Sequence, residues 1–154
     1  MTFSMTAFAR SLANYLAPVL PGVTMYEDPN QQGTVCPCMF LQTRYSYTER
    51  RRAERDYYFR RIGLDLTYLE DYNLPDLQQR YLAAAEALDP IMETVPYSHD
   101  EDEPPTLLRT YDREYTIDLD ALHYKFELQV SVSIPRDEVK MQTMDYDEEV
   151  VLPE

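Results

Sequence analysis

Leu122-His-Tyr-Lys-Phe-Glu-Leu-Gln-Val-Ser-Val-Ser-Ile134 is the stretch that decides the fold. Leu122, Tyr124, Phe126, Leu128, Val130, Val132 and Ile134 fall on one side of an extended chain. His123, Lys125, Glu127, Gln129, Ser131 and Ser133 fall on the other. Alternation with period two over this length specifies a strand that turns one face to a core and the other outward. Residues 106–118 read as the strand before it, with Leu107, Tyr111, Tyr115 and Ile117 expected inward and a turn around Leu119-Asp-Ala121.

A second pair of strands lies upstream. Cys38-Met-Phe-Leu-Gln-Thr-Arg-Tyr-Ser-Tyr-Thr48 leads into a polar tip, Glu49-Arg-Arg-Arg-Ala-Glu-Arg-Asp56, and residues 57–68 return. In the returning run Ile62, Leu64, Leu66 and Tyr68 alternate with Arg61, Gly63, Asp65 and Thr67, the mark of a half-buried strand. Each arm would extend about 35–40 Å at about 3.3 Å per residue, more than a small core covers, so the distal part should project. Its tip is basic. Arg44, Arg50, Arg51, Arg52, Arg55, Arg60 and Arg61 make up half of the 14 basic residues of a chain whose net charge is −14. Planar arginine forks suit carboxylates, so these seven are the candidate contacts to a neighbouring subunit or another protein.

Two amphipathic helices complete the pattern. Phe3, Ala7, Phe8, Leu12, Tyr15, Leu16 and Leu20 mark one over residues 2–20, capped by Thr2 or Ser4 and stopped by Pro18 and Pro21-Gly22. Leu77, Tyr81, Leu82, Ala84, Ala85 and Leu88 mark the other over residues 74–88, with Asn73 as N-cap and Pro75 in the first turn. Val23-Thr-Met-Tyr26 reads as a short strand, and residues 27–33 and 96–105 as loops. The expected class is α+β: a two-layer fold with a mainly antiparallel sheet of four to five strands and two helices on one face. The arginine-tipped hairpin projects from it, and Leu64, Leu66, Leu82, Phe126, Leu128 and Val130 form the core. Residues 1–135 form this domain. Residues 136–154 are an acidic C-terminal segment, either a solvated tail or an arm that orders on a partner.

Little here resembles a catalytic constellation. Cys36 and Cys38 flank Pro37 and read as reduced, half-buried strand thiols, because so short a disulfide ring would be strained. His123, with Asp120 three residues earlier, is the best base on paper, yet it sits on the outward face of a strand and reads more simply as an interface histidine. His99 lies among Asp100, Glu101, Asp102 and Glu103 in a solvated loop. Three glycines cannot build a phosphate-cradling loop, so no cofactor and no metal are expected, and the chain reads as no enzyme. The acidic balance opposes sequence-reading contact with nucleic acid but not a wall that DNA slides past. No apolar run approaches a membrane span and the N-terminus lacks a basic-then-apolar leader, so the cytoplasm is the expected place of synthesis and assembly. A part that assembles is the reading of the residues.

Gln31-Gln-Gly-Thr-Val-Cys-Pro-Cys-Met-Phe-Leu41, the arginine-tipped hairpin, and Leu119-Asp-Ala-Leu-His-Tyr-Lys-Phe126 together resemble the tail terminator family of long-tailed bacteriophages and prophages. Met39 stands where an aromatic is usual after the Pro-Cys pair, and Ala121 where a glycine is usual; both leave the strands intact. The resemblance runs from Phe3 to Ile134 and is structural in kind. It implies a virion protein that forms a ring, expected as a hexamer, capping the tail tube and linking it to the neck or head connector. The tail sheath is a further candidate contact. DNA would pass through without specific binding, along a lumen lined by residues 100–103 (Asp100, Glu101, Asp102, Glu103) or by Asp118 and Asp120. The alternatives are a head-closure or neck adaptor, and a small cytoplasmic module binding an acidic protein.

Overall fold

The strand that opens the sequence reading, β6 (Leu122–Ser133), lies inside a six-stranded sheet. In chain order the other elements are α1 (Met5–Leu16), β1 (Thr24–Tyr26), β2 (Cys38–Glu49), β3 (Tyr57–Leu69), α2 (Leu77–Leu88), β4 (Thr94–Tyr97) and β5 (Thr106–Ile117). They belong to a computed structural model that describes residues 2–26, 35–49, 57–71, 73–118 and 120–133. The strand order is β1-β2-β3-β6-β5-β4. All pairs are antiparallel except β1 with β2, so the sheet is mixed.

Leu122, Tyr124, Phe126, Leu128, Val130 and Val132 of β6 are all buried. Opposite them β3 sets Tyr68, Leu66, Leu64 and Ile62 in the pairs Tyr68↔Leu122, Leu66↔Tyr124, Leu64↔Phe126 and Ile62↔Leu128. These pairs form one apolar face. The helices bury their stripes on it: the Phe8 ring of α1 lies 6.4 Å from Phe126, and the Tyr81 ring of α2 meets Tyr68 edge-on at 5.8 Å. Ser4 caps α1 by accepting the Ala7 N–H, and Ala7, Phe8, Leu12 and Leu16 form the buried stripe. Tyr81 pins α2 to the end of the strand pair where β3 stops and β6 starts, accepting from the Glu70 N–H at 3.1 Å and donating to the Asp120 carbonyl at 2.9 Å.

Several expectations need correction. The sheet has six strands rather than four to five. The missing strand is β4, a four-residue segment interrupted by Pro96 that reads as loop; it sits at the sheet edge, where a proline's lost N–H is tolerated. On β5 the inward set is Leu108 and Thr110, whereas Leu107 is 68% exposed and Tyr111 and Tyr115 are also open, with Ile117 half-buried. A register shift between Tyr111 and Glu114, with Asp112 at φ 52, breaks the parity that simple alternation assumes. Leu82 is only half-buried, because α2 turns Tyr81, Ala84, Ala85 and Leu88 inward and leaves it at the margin. The same helix starts at Leu77, after an Asp76 N-cap whose carboxylate takes the Arg80 Nε at 3.0 Å instead of a backbone N–H. Asn73 donates its own N–H to Asp71, as a turn residue would. The cysteines divide: Cys36 is exposed, whereas Cys38 is buried, and burial beside Cys36 pushes its thiol up to about 12.

Candidate functional site

The β2–β3 hairpin changes character along its length. Cys38, Met39 and Phe40 are buried, Leu41 is half-buried, and residues 42–49 are exposed on both faces. The return strand β3 is buried mainly from Ile62 to Tyr68. Pairing of β5 to β6 ends at Thr110↔Leu128, whereas β3 pairs with β6 out to Tyr57↔Ser133. The projecting arm is therefore three-stranded, with β3 at its centre, rather than a bare hairpin. An isolated two-stranded hairpin is marginal in water, and the third strand stiffens it.

A buried carboxylate marks the point where the arm leaves the body. Glu127 lies on the outward side of β6 yet is only 3% exposed. It sits opposite Gly63, and the Tyr45 ring lies over that glycine so closely that a Cβ there would stand 2.1 Å from Tyr45 Cε1. Tyr45 donates its hydroxyl to Glu127 Oε2 at 2.5 Å, and Gln129 donates to Oε1 at 2.8 Å. Arg61 donates through Nε and Nη2 at 3.2 and 3.3 Å. Burial pushes the Glu127 carboxyl up, but hydrogen bonds from Tyr45, Gln129 and Arg61, with the Arg61 charge, outweigh it and hold the group below the usual range. The clamp joins β2, β3 and β6 in one contact. Sequence reading places Glu127 in solvent; the signal it passes over is Gly63, a glycine inside an otherwise regular strand, which often marks a close approach.

The candidate arginines have different situations. Arg44 is exposed at an irregularity between Thr43 and Tyr45, its guanidinium 5.7 Å from the Tyr45 ring centroid. Arg60 donates to Ser46 Oγ at 3.2 Å and lies over the Phe3 ring. Arg61 holds Glu127 and keeps 45% of its side chain exposed. Arg50, Arg51, Arg52 and Arg55 lie outside the described residues, as do Ile134 and residues 136–154. Two arm arginines thus carry an intrachain duty that their spacing did not reveal.

His123 lies at the other end of β6, paired with carboxylates different from the expected Asp120. Its Nδ1 is 3.0 Å from Asp65 Oδ2 and its Nε2 3.3 Å from Asp118 Oδ2, while Thr67 donates to Asp65 Oδ1. Both ring nitrogens are engaged, so the histidine joins β3, β6 and the β5–β6 turn. The carboxylates considered for a lumen are not one group. Asp100, Glu101, Asp102 and Glu103 are exposed after β4, beside the arm end of the strands; Asp118 and Asp120 are exposed at the opposite end. The 12 residues of β5 separate them by roughly 40 Å. Arg10 fixes the root of the first group, donating to the Ser98 and His99 carbonyls at 2.7 and 3.1 Å. Among the described residues no three His, Cys, Asp or Glu side chains gather as metal ligands, and no helix is long and apolar enough to cross a membrane.

Residues 8–140 match the family model of the phage tail terminator protein, which covers most of the chain. No curated protein matches it. The chain belongs to the phage tail terminator family, a family of structural proteins of the virion tail.

Proposed function

We propose that this tail terminator acts as a ring, a hexamer, that caps the tail tube and joins it to the neck or head connector. The observation that carries this reading is the arm. Residues 42–49 leave the body with both faces open, in the segment that holds seven of the chain's 14 basic residues. A strand exposed on both sides gains little from its own fold, so the arm's sequence answers to a surface outside the chain. Arg44, Arg50, Arg51, Arg52, Arg55, Arg60 and Arg61 reach carboxylates of a neighbouring subunit or of the tube protein, and His123, at the other end of β6, belongs to a separate contact. The tail sheath is a further neighbour where one exists. Residues 136–154, with seven acids against two bases, serve as an arm that orders on a partner. DNA passes through the ring, whose inner wall is acidic or neutral, since basic walls would hold a polyanion by releasing counterions. The 40 Å separation leaves room for only one of the two carboxylate groups at the narrowest point.

Mass measurement in solution, with and without purified tail-tube protein, tests the ring. The wild-type chain should form a closed oligomer, and changing Arg50, Arg51, Arg52 and Arg55 to Glu should abolish it while the circular dichroism of the folded monomer persists. A wild type that stays monomeric with the tube protein present would overturn the proposal. An assembled ring whose narrowest lumen is lined by those arginines would overturn the assignment of the inner wall.

A further inference from the structure

Of the seven large hydrophobic side chains exposed among the described residues, five share one face of the sheet: Tyr45, Tyr47, Tyr57, Leu107 and Tyr111. Register places them there. Tyr45 and Tyr47 pair with Gly63 and Arg61, Tyr57 is in step with Arg61 along β3, and Tyr111 pairs with Glu127. Leu107 is in step with Tyr111 on β5, while Leu108 between them joins the core. Both helices pack on the opposite face, so no described element covers this one. Tyr45 gives its hydroxyl to Glu127, yet the residue stays 43% exposed. Open clusters of this size and composition mark a contact site rather than ordinary surface.

We infer that residues 144–152 lie along this helix-free face of their own chain. In sequence, Met144, Tyr146, Val150 and Leu152 fall on one side of an extended segment, and Asp145, Asp147 and Glu149 on the other. Glu148 and Val151 are the two exceptions. Period two gives the segment one apolar side, and its acids stay in water, so apolar contact rather than charge carries the docking. Start and length select this occupant. β6 ends at Ser133, paired with Tyr57 at the distal edge of the patch. Ile134-Pro135-Arg136-Asp137 sets proline at the second position of a four-residue stretch, which suits a reversal. Residues 138–152 would extend about 50 Å, against about 20 Å from Ser133 back to the level of Glu127. Tethering gives the segment an effective concentration on the order of millimolar, which favours its own face over that of another copy. The consequence rests on the ring reading above, which gives Tyr45 and Tyr47 to a neighbour. The segment covers the arm of a free subunit and yields when the neighbour docks, so assembly waits on the tube.

The test is hydroxyl-radical footprinting of the full-length monomer, which reads side-chain exposure residue by residue. The comparison is a full-length variant carrying Met144→Asp, Tyr146→Asp, Val150→Asp and Leu152→Asp. Oxidation of Tyr47, Leu107 and Tyr111 should rise about threefold or more in the variant, as a populated cover is lost. Tyr115 pairs with Tyr124 on the opposite face and is comparably open, so it is the internal control and should not change. Asp145→Asn with Asp147→Asn, on the acidic side, should keep the wild-type protection. Equal oxidation in wild type and the fourfold variant would overturn the docking. Protection that fades on dilution would assign the segment to another copy and overturn it too. With tube protein added, the variant should assemble at about tenfold lower concentration, and an unchanged threshold would overturn the waiting role. The footprint is read on monomer, so a chain that never oligomerises would sink the ring reading and leave this result standing.

Discussion

The near and far halves of one hairpin obey different physics. Near the body, Met39, Leu64 and Leu66 are sealed between the sheet and the helices, and each buried side chain contributes about 1.5–3 kcal/mol of transfer free energy. In the far half, residues 42–49 have water on both faces, and order rests on strand pairing and on the Glu127 clamp. The near half is specified by packing, so its residues report on the fold. The far half is free of that constraint, and in the proposed ring its tyrosines and arginines meet a partner. The boundary is sharp because Gly63, Tyr45 and Glu127 occupy it.

The contrast can be broken most severely from within. Phe126→Ala, at a site 1% exposed, should cost about 3–5 kcal/mol in denaturant unfolding and leave many chains of this size unfolded. A loss under about 1 kcal/mol would mean that the face on which Phe126 meets Leu64 of the near half is not the packed one described. Gly63→Ala should displace the Tyr45 ring and cost about 1–3 kcal/mol, with faster amide exchange in the distal arm than in α1 or α2. Equal acceleration everywhere would remove the boundary.

Glu127→Gln should cost about 1–3 kcal/mol at pH 7, since it takes the charge from a buried acceptor of three side chains. Its pH dependence sharpens the point. The carboxyl titrates lower in the folded chain than in the unfolded one, so its stabilisation is complete above the ordinary glutamate range and lost as pH falls through the depressed value. Wild type should lose more stability than Glu127→Gln between about pH 6 and about pH 3, on either side of the usual glutamate pKa of about 4.3. Parallel curves would assign the carboxyl no such role. The smallest effect on folding belongs to Tyr47→Ala. At a residue 54% exposed it should change stability by less than about 0.5 kcal/mol while reducing oligomer in sedimentation. Unchanged assembly would make the far half an ordinary surface.

What could be read beforehand follows from the same contrast. β6 was legible because burial imposes strict alternation over its whole length, and β2 and β3 because their apolar and polar runs frame a charged turn. β5 was not, since Asp112 and the register shift reverse which side chains face inward, and period two carries no mark of such a reversal. β4 was hidden by its length and by Pro96. The basic arm was plain in the composition, but the use of Arg61 to neutralise Glu127 was not. A lone glutamate at an outward position looks solvated until a tyrosine two strands away is known to cover it.

The two thiols at the root of β2 offer a last consequence. Cys38 is buried with its thiol pushed up to about 12, so at neutral pH almost none of it is thiolate and it is inert to alkylating reagents. Cys36, two residues away, is exposed. The native chain therefore holds a single readily alkylated thiol, placed where the arm is rooted. A fluorophore attached there gives one label per subunit without mutation. Counting photobleaching steps on single particles would then read the number of copies on one tail.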